Sequence, residues 1–297
     1  MRVNPNQLSD ILVAIQQTQQ QEQTALQEIS TGKRVNSPSD DPAAAASEVQ
    51  NQATESRIDQ YLQSAGSLQA QMQTADSALS SVVTALNQAV SLGVEASNGT
   101  LSSSNQQQIL QQIQGVVGQV VQLANTSYQG NYLFSGTETS QAPFTQTASG
   151  VTYNGNDGVN SVEIADGRSI ESNVPGSQLF QQSGSDVFGS LQQLVTALQS
   201  GDTASISTAT TAISGALNYL TGQRVFYGNA ETQLNDDQTS LNAETVNLKS
   251  QDNTLVGADP TQAATALSQA QVANQAALEA AAKILPNTLL DYLPTTT

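Results

Sequence analysis

The chain has 297 residues and a net charge of −17, with eight basic residues against 25 acidic ones. Nucleic-acid binding relies on clustered Lys and Arg, so this charge argues against a nucleic-acid partner. The absence of Cys and His excludes a disulfide scaffold, a Cys/His metal site and the nucleophile–base pairs that use these residues, and an aromatic content of 4% favours thin helical bundles over a thick globular core.

The N-terminal stretch 6–32 predicts an amphipathic helix. Its apolar residues recur at steps of three and four, pause through the Gln-rich run 16–23, and return near the end of the stretch. The next segment, 30–42, is rich in Gly, Pro, Asn and Ser and therefore predicts a loop. Asp41 is then expected to cap a new helix that has Pro42 at its first position.

Two further helices are predicted in the first half of the chain. Residues 43–97 carry apolar side chains at steps of three and four, and the part from Leu62 to Ala89 forms a heptad seam of about four repeats. An Asn-Gly pair and a Ser run interrupt the pattern, which resumes over 105–127. Long helices joined by a short turn predict an αα-hairpin.

The periodicity changes from helical to alternating in the middle of the chain. Strands are expected near 144–153, 160–165 and 168–174. The dipeptides at 154–155 and 157–158, Asn-Gly and Asp-Gly, are typical of hairpin turns. These residues predict a small β-rich domain.

Helical sequence returns in the C-terminal half. One helix is expected over 186–200, a second over 203–227, and a regular seam from Leu234 onward. Residues 259–260, Asp-Pro, restart a helix by the same cap chemistry as the earlier Asp-Pro pair. Pro286 is expected to kink or break this last helix, because proline lacks an N–H and clashes with the preceding turn.

Few residues suggest chemistry. The carboxylate pairs at 40–41 and 236–237 are better interpreted as a helix cap and a solvated helical face than as a catalytic site. The segment 155–158 lacks the ligand spacing of a calcium loop, so a hairpin turn is the preferred interpretation. The basic pair at 33–34 is consistent with binding to an acidic neighbour and equally with a solvated loop. We therefore expect no enzyme activity, no cofactor and no metal.

The sequence shows no run that approaches a membrane span, and its start lacks a charged region followed by an apolar one. We therefore expect no membrane partner and no cleavable signal peptide.

Several segments together resemble the flagellin superfamily. The N-terminal signature LQEISTGKRVNSPSDDPAAAASEV (26–49) is the strongest of them, and YLFSGT with the following APF (132–144) is similar to the hook–filament junction branch. The remaining similar segments lie at 91–104, 151–159 and 277–293.

The resemblance implies a mainly α fold in which long coiled-coil helices from both termini form an elongated rod, with a small β-rich outer domain inserted mid-chain. It implies an inner terminal coiled-coil domain (1–42 plus 258–297), a helical-bundle domain (43–137 plus 185–257) and the outer domain (138–184).

The resemblance also implies site residues. The assembly seam would consist of Leu8, Ile11, Leu12, Ile15, Leu26, Ile29, Leu278, Ile284, Leu285, Leu289 and Leu293. The connector between the inner and helical domains would contain Lys33, Arg34, Val35, Asn36, Asp40, Asp41 and Pro42.

The implied function is that of an extracellular structural subunit of the bacterial flagellum, exported through the flagellar type III apparatus. It would join hook to filament and seed filament assembly. Its partners would be copies of itself in a ring, a hook-side junction protein, flagellin, and an export chaperone at the C-terminus. The alternatives are a flagellin that forms the filament itself, or a surface-displayed binding protein.

Overall fold

The computed structural model describes the backbone of residues 7–98, 102–147 and 150–290, and the side chains of these residues except 7, 8 and 284–290. Internal contacts group the chain into two units. The first comprises residues 1–57 and 243–297, and the second comprises residues 58–242.

The fold is mainly α, with long helices toward both termini and short strands mid-chain, as the sequence predicts. The helices are α1 (Gln7–Thr31), α2 (Pro42–Ala96), α3 (Ser103–Ala124), α4 (Gly176–Phe180), α5 (Val187–Ser200), α6 (Thr203–Val256) and α7 (Pro260–Leu290). The strands are β1 (Ser127–Tyr128), β2 (Asn131–Tyr132), β3 (Phe144–Thr147), β4 (Gly150–Tyr153), β5 (Ser161–Ala165) and β6 (Arg168–Glu171).

Helix α6 corrects the prediction of a helix that ends at residue 227 before a new seam begins. The helix is continuous through Gly228 and Asn229, two residues of low helix propensity. Ala230 and Leu234, which follow them, are 5% and 0% exposed in the core. Burial of this face therefore outweighs the local preference of a short polar stretch, since tertiary packing supplies most helix stability in proteins.

Of the two outcomes expected at Pro286, the break in α7 is wrong, and the kink stays a prediction. The helix runs past this residue to Leu290. A proline inside a helix removes one backbone hydrogen bond, whereas the bonds of the neighbouring turns can still form. One missing bond has therefore not ended the helix.

The strands form three separate antiparallel pairs: β1 with β2, β3 with β4, and β5 with β6. The single strand predicted over 144–153 is wrong, because Phe144 pairs with Tyr153 and the segment folds back on itself. The β5–β6 hairpin turns at 166–167, Asp-Gly, where Gly167 has φ +69°. An alternating pattern by itself does not show where a strand reverses.

The predicted hairpin turn at 155–158 is also wrong. These residues connect β4 to β5, which belong to different pairs. The segment instead lies against residues 135–137: the Thr137 N–H donates to Asn156 Oδ1 at 2.9 Å. A Cβ at Gly155 would lie 2.6 Å from the Ser135 carbonyl oxygen. The glycine therefore permits close backbone approach rather than a turn.

The second unit has one hydrophobic core, to which α2, α3, α5, α6 and the strand segments all contribute. Four phenylalanines join the mid-chain segments to the helices. Phe180 contacts the other three at ring-centroid distances of 5.3 to 5.8 Å; the four are Phe134, Phe144, Phe180 and Phe188. A small number of aromatic residues thus supplies much of the packing where strands meet helices.

Asp237 corrects the prediction that residues 236–237 form a solvated helical face. Asp236 is exposed, but Asp237 is 3% exposed and forms an ion pair with Arg168. Arg168 of the β5–β6 hairpin reaches this turn of α6, which the helical sequence alone does not reveal.

One stretch of α2 corrects the statement that no run approaches a membrane span. By length and composition, an 18-residue window of this helix could cross a membrane, and 44% of that window is buried inside the protein. One helix of this length and composition is weak evidence for a membrane span, because buried core helices of soluble proteins have the same length and composition. The buried apolar residues of α2 between Ala65 and Ala96 belong to the hydrophobic core of the second unit.

Candidate assembly surface

The two terminal helices, α1 and α7, pack against each other as an antiparallel pair. The end of α1 meets the start of α7, where the Ala258 N–H donates to the Gly32 carbonyl at 2.9 Å. The side chains buried along the pair are small: Ala25, Ala263 and Ala270 are 2 to 3% exposed. Alanines allow close approach but bury little apolar area, so the pair leaves its larger apolar side chains mostly uncovered.

The predicted seam residues are largely exposed in the single chain. Leu12 is 55% exposed, Leu278 is 51% exposed, and Leu26 and Ile29 are nearly as open. Ile11 and Ile15 are half-buried. The mutual packing of these residues therefore stays a prediction about an assembled state. Of the remaining seam residues, Leu8, Ile284, Leu285 and Leu289 lie in the terminal helices with undescribed side chains, and Leu293 lies outside the described residues.

An open groove runs along the α1–α7 pair, with a volume of about 760 Å³. Part of the Gln-rich run lines it, including Gln17, Gln20 and Gln21, opposite Gln269. In the sequence this run looked only like an interruption of the apolar stripe. The structure shows that it gives one side of the pair a polar, glutamine-rich surface, with Glu28 also lining the groove.

The connector lies beside the short link between α6 and α7, and both belong to the first unit. The Arg34 N–H donates to the Val256 carbonyl at 2.7 Å, and Lys33 forms an antiparallel bridge with Gly257. Val35 is 4% exposed and packs with Ala44 and Val256 in a small separate hydrophobic cluster. The links that lead into α1 and α7 are therefore held together by backbone hydrogen bonds and apolar contacts.

Both basic residues of the connector have acidic partners within the chain. Lys33 Nζ lies 2.5 Å from Glu48 Oε1, and Arg34 Nη2 lies 3.1 Å from Asp41 Oδ2. Arg34 Nη2 also donates to the Leu255 carbonyl at 3.0 Å. Both side chains therefore contact acidic residues of the same chain while they remain about half exposed, and binding to an acidic neighbouring molecule stays a prediction.

The two connector aspartates organise the backbone. The N–H groups of Asn36 and Ser37 donate to Asp40 Oδ2 at 3.0 and 2.8 Å, and the Ser37 hydroxyl donates to its other oxygen. These hydrogen bonds lower the pKa of Asp40 below its ordinary value of 3.8, and the bonds from Ser37 have the largest effect. The Ala44 N–H donates to Asp41 Oδ1 at 3.1 Å, which confirms the predicted cap before Pro42.

The pKa of Asp41 is likewise lowered, chiefly by the hydrogen bond from the Ala44 N–H and next by that from Arg34. Both aspartates therefore hold structure in their charged form. Neither of them has the raised pKa expected of a general acid.

Comparison with known families agrees with this arrangement. Residues 3–139 match the bacterial flagellin N-terminal helical region, and residues 210–293 match the bacterial flagellin C-terminal helical region. The chain belongs to the flagellin superfamily. The matched regions contain α1, the connector and α7, so the family features include the terminal helix pair.

Within the superfamily, this chain is similar to proteins named flagellar hook-associated protein 3. The similarity to the Salmonella typhimurium protein is 34% identity over 155 residues, 52% of this chain and 48% of that protein. For the Escherichia coli protein it is 39% over 121 residues, 40% of this chain and 38% of that protein. The matched part thus spans about half the length of these relatives, or less. They are structural proteins of the bacterial flagellum, an extracellular structure.

A solved structure shares the fold. The crystal structure of the flagellar junction protein FlgL from Legionella pneumophila superposes on this chain with a TM-score of 0.60 at 14% identity. The superposition covers 71% of this chain and all of the FlgL chain. At this identity, the comparison establishes a shared fold.

Proposed function

We propose that this chain is a non-enzymatic structural subunit that joins the flagellar hook to the filament and seeds filament assembly. The observation that carries the proposal is the exposure of large apolar side chains on both terminal helices. Leu12, Leu26, Ile29 and Leu278 are each about half exposed. In a chain whose named relatives are hook-associated proteins, burial of these side chains by neighbouring subunits supplies the driving force for assembly.

The proposal extends to the domains and partners. The inner domain (1–42 plus 258–297) would pack against copies of itself in a ring and against hook-side and filament-side proteins. The helical domain (43–137 plus 185–257) would surround it, and residues 138–184 would face outward. The connector supports this role, because its paired backbones hold both terminal helices at one place. Export without a cleavable signal and a chaperone for the C-terminus belong to the same proposal.

Deletion in the source cell tests the proposal. We expect bare hooks, with filament protein released into the medium as monomer, and recovery of filaments when the intact chain is restored. Persistence of normal filaments in the deletion strain would overturn the junction role.

The alternative is a flagellin that forms the filament itself, which the two matched flagellin regions favour. The two functions differ in self-assembly, because a filament subunit repeats the same heterologous contact without limit. Purified chain added to short filament seeds should produce no elongation if it is a junction protein. Growth of long filaments from this chain alone would establish the flagellin role.

A further inference from the structure

A polar cleft in the second unit is lined by residues outside the terminal helices, and the proposed junction role does not use it. It has a volume of about 280 Å³ and lies between α2 and the β1–β2 hairpin. Of the twelve residues that line it, none carries a formal charge at neutral pH. In a chain with a net charge of −17, an uncharged cleft of this kind favours a neutral, polar ligand over a cation or an anion.

We propose that this cleft binds the ring of a neutral sugar. Five amide side chains and two tyrosines line it: Gln71, Gln129, Asn131, Asn160, Asn173, Tyr128 and Tyr132. Amides offer both donors and acceptors, as the vicinal hydroxyls of a sugar require, and a tyrosine ring offers an apolar face with a polar tip. A cleft of this size is at the small end of ligand pockets and suits one ring rather than a long oligomer.

Two amide side chains of the cleft each form one hydrogen bond within the chain, and these bonds orient the remaining donor and acceptor atoms. Gln71 Nε2 donates to the Ser172 carbonyl at 3.1 Å, which leaves its Oε1 as an acceptor. Asn131 Oδ1 accepts from the Thr139 hydroxyl at 3.1 Å, which leaves its amide N–H groups as donors. Acceptors and donors are therefore fixed on opposite walls, on α2 and on the hairpin, before any ligand enters.

The floor of the cleft is rigid. Asn173 is 4% exposed, donates to the Gly158 carbonyl at 3.1 Å, and accepts from the Asn160 N–H at 2.7 Å. A preformed floor lowers the cost of ordering on binding, which matters for a ligand with few atoms.

The hairpin at the rim has an unusual turn residue. Gln129 has φ +50° and is the single non-glycine residue with positive φ in the part of the chain that the structure describes. Two-residue turns of this type normally use Asn-Gly or Asp-Gly, because other side chains are strained there. The Gln129 amide donates to the Tyr128 hydroxyl at 3.2 Å, which fixes both side chains at the rim, and backbone strain of this kind concentrates at binding sites.

Saturation-transfer NMR on the full-length chain tests the proposal. The probes are glucose, galactose, mannose and N-acetylglucosamine, with glucosamine and galacturonate as charged counterparts. We expect transfer from at least one neutral sugar, with a Kd on the order of 1 mM for a ligand of about twelve non-hydrogen atoms. The charged counterparts should give weaker transfer, because the cleft offers no ion pair.

Variants assign the binding to the cleft. Asn131→Ala and Gln71→Ala each remove one wall's hydrogen bond, and we expect each to weaken binding about tenfold. Gln193→Ala is the matched control, because this residue lines a separate groove of about 480 Å³ formed by residues of α5 and α6. Circular dichroism confirms folding of each variant. The proposal fails if no neutral sugar shows transfer, if the charged sugars bind as well or better, or if both cleft variants bind as the unaltered chain does.

Discussion

Arg168, on strand β6, forms an ion pair with Asp237, on helix α6, and Asp237 is almost completely buried. Among the residues that the structure describes, one oxygen of Asp237 has no hydrogen-bond partner, so the arginine is the main compensation for a buried carboxylate. The pair joins the mid-chain hairpin to a long helix of the same unit.

Removing the arginine should destabilise the second unit. Because Arg168→Ala leaves Asp237 buried without its cation, we expect a loss of about 1–3 kcal/mol in the free energy of unfolding, less than for a fully buried pair since the Arg168 side chain is 55% exposed. Urea unfolding measures the loss. Asp236→Asn, on the exposed neighbour, should stay within about 0.5 kcal/mol. Equal stability of both variants would show that the ion pair contributes nothing.

Gly93 should be intolerant of a side chain, because α2 and α6 approach each other closely at this residue. A Cβ at Gly93 would lie 2.3 Å from Thr210 Oγ1, and Thr210 is itself buried. We expect Gly93→Ala to lower the free energy of unfolding by about 1–3 kcal/mol through overpacking. Thermal unfolding followed by circular dichroism measures the change.

Gly66 on the same helix provides the control. A Cβ there meets nothing within 4 Å, so Gly66→Ala should instead raise the free energy of unfolding by about 0.5–1 kcal/mol. The close-approach interpretation is wrong if the two substitutions have the same sign.

The connector should loosen in acid. The pKa of Asp40 is lowered from 3.8, so its stabilising contribution is fully present above that value and is lost as the pH falls through the lower, folded value. The backbone N–H resonances of Asn36 and Ser37, which donate to this carboxylate, should shift with a midpoint below 3.8 in an NMR titration. In Asp40→Asn this step should vanish. A midpoint at or above 3.8 contradicts the assigned hydrogen bonds.

Leu12→Asp should separate folding from assembly. Because Leu12 is 55% exposed in the single chain, we expect a change in the free energy of unfolding within about 0.5 kcal/mol. In an assembled seam the same substitution buries an unpaired charge, which costs on the order of several kcal/mol, so complementation of the deletion strain should fail.

Val225→Asp is the matched control for Leu12→Asp, since Val225 is 59% exposed on the second unit. We expect filaments with this variant. Normal filaments with Leu12→Asp would refute its place in the seam.

Hydrophobic periodicity and helix-cap residues were enough to predict many of the helices. The helix expected over 43–97 is α2, and the cap expected at Asp41 is present, because both depend on neighbours within one or two turns. The exposed leucines and isoleucines of α1 and α7 also follow directly from the sequence pattern. The sequence shows that these helices carry large apolar side chains, but it does not show which surface would pack against them.

Contacts between distant residues decided the rest. Gly155 and Asn156 resemble turn residues, yet they pack against 135–137, and the polar cleft brings together Gln71 and Asn131 from segments about sixty residues apart. Asp237 resembles its solvated neighbour, yet it is buried and pairs with Arg168 from a distant hairpin. By itself the sequence determined where helices begin and which faces are apolar, since these are local properties. Only the tertiary structure decided which polar residues are buried, paired or gathered into a cleft, because those outcomes depend on which distant segments the core brings together.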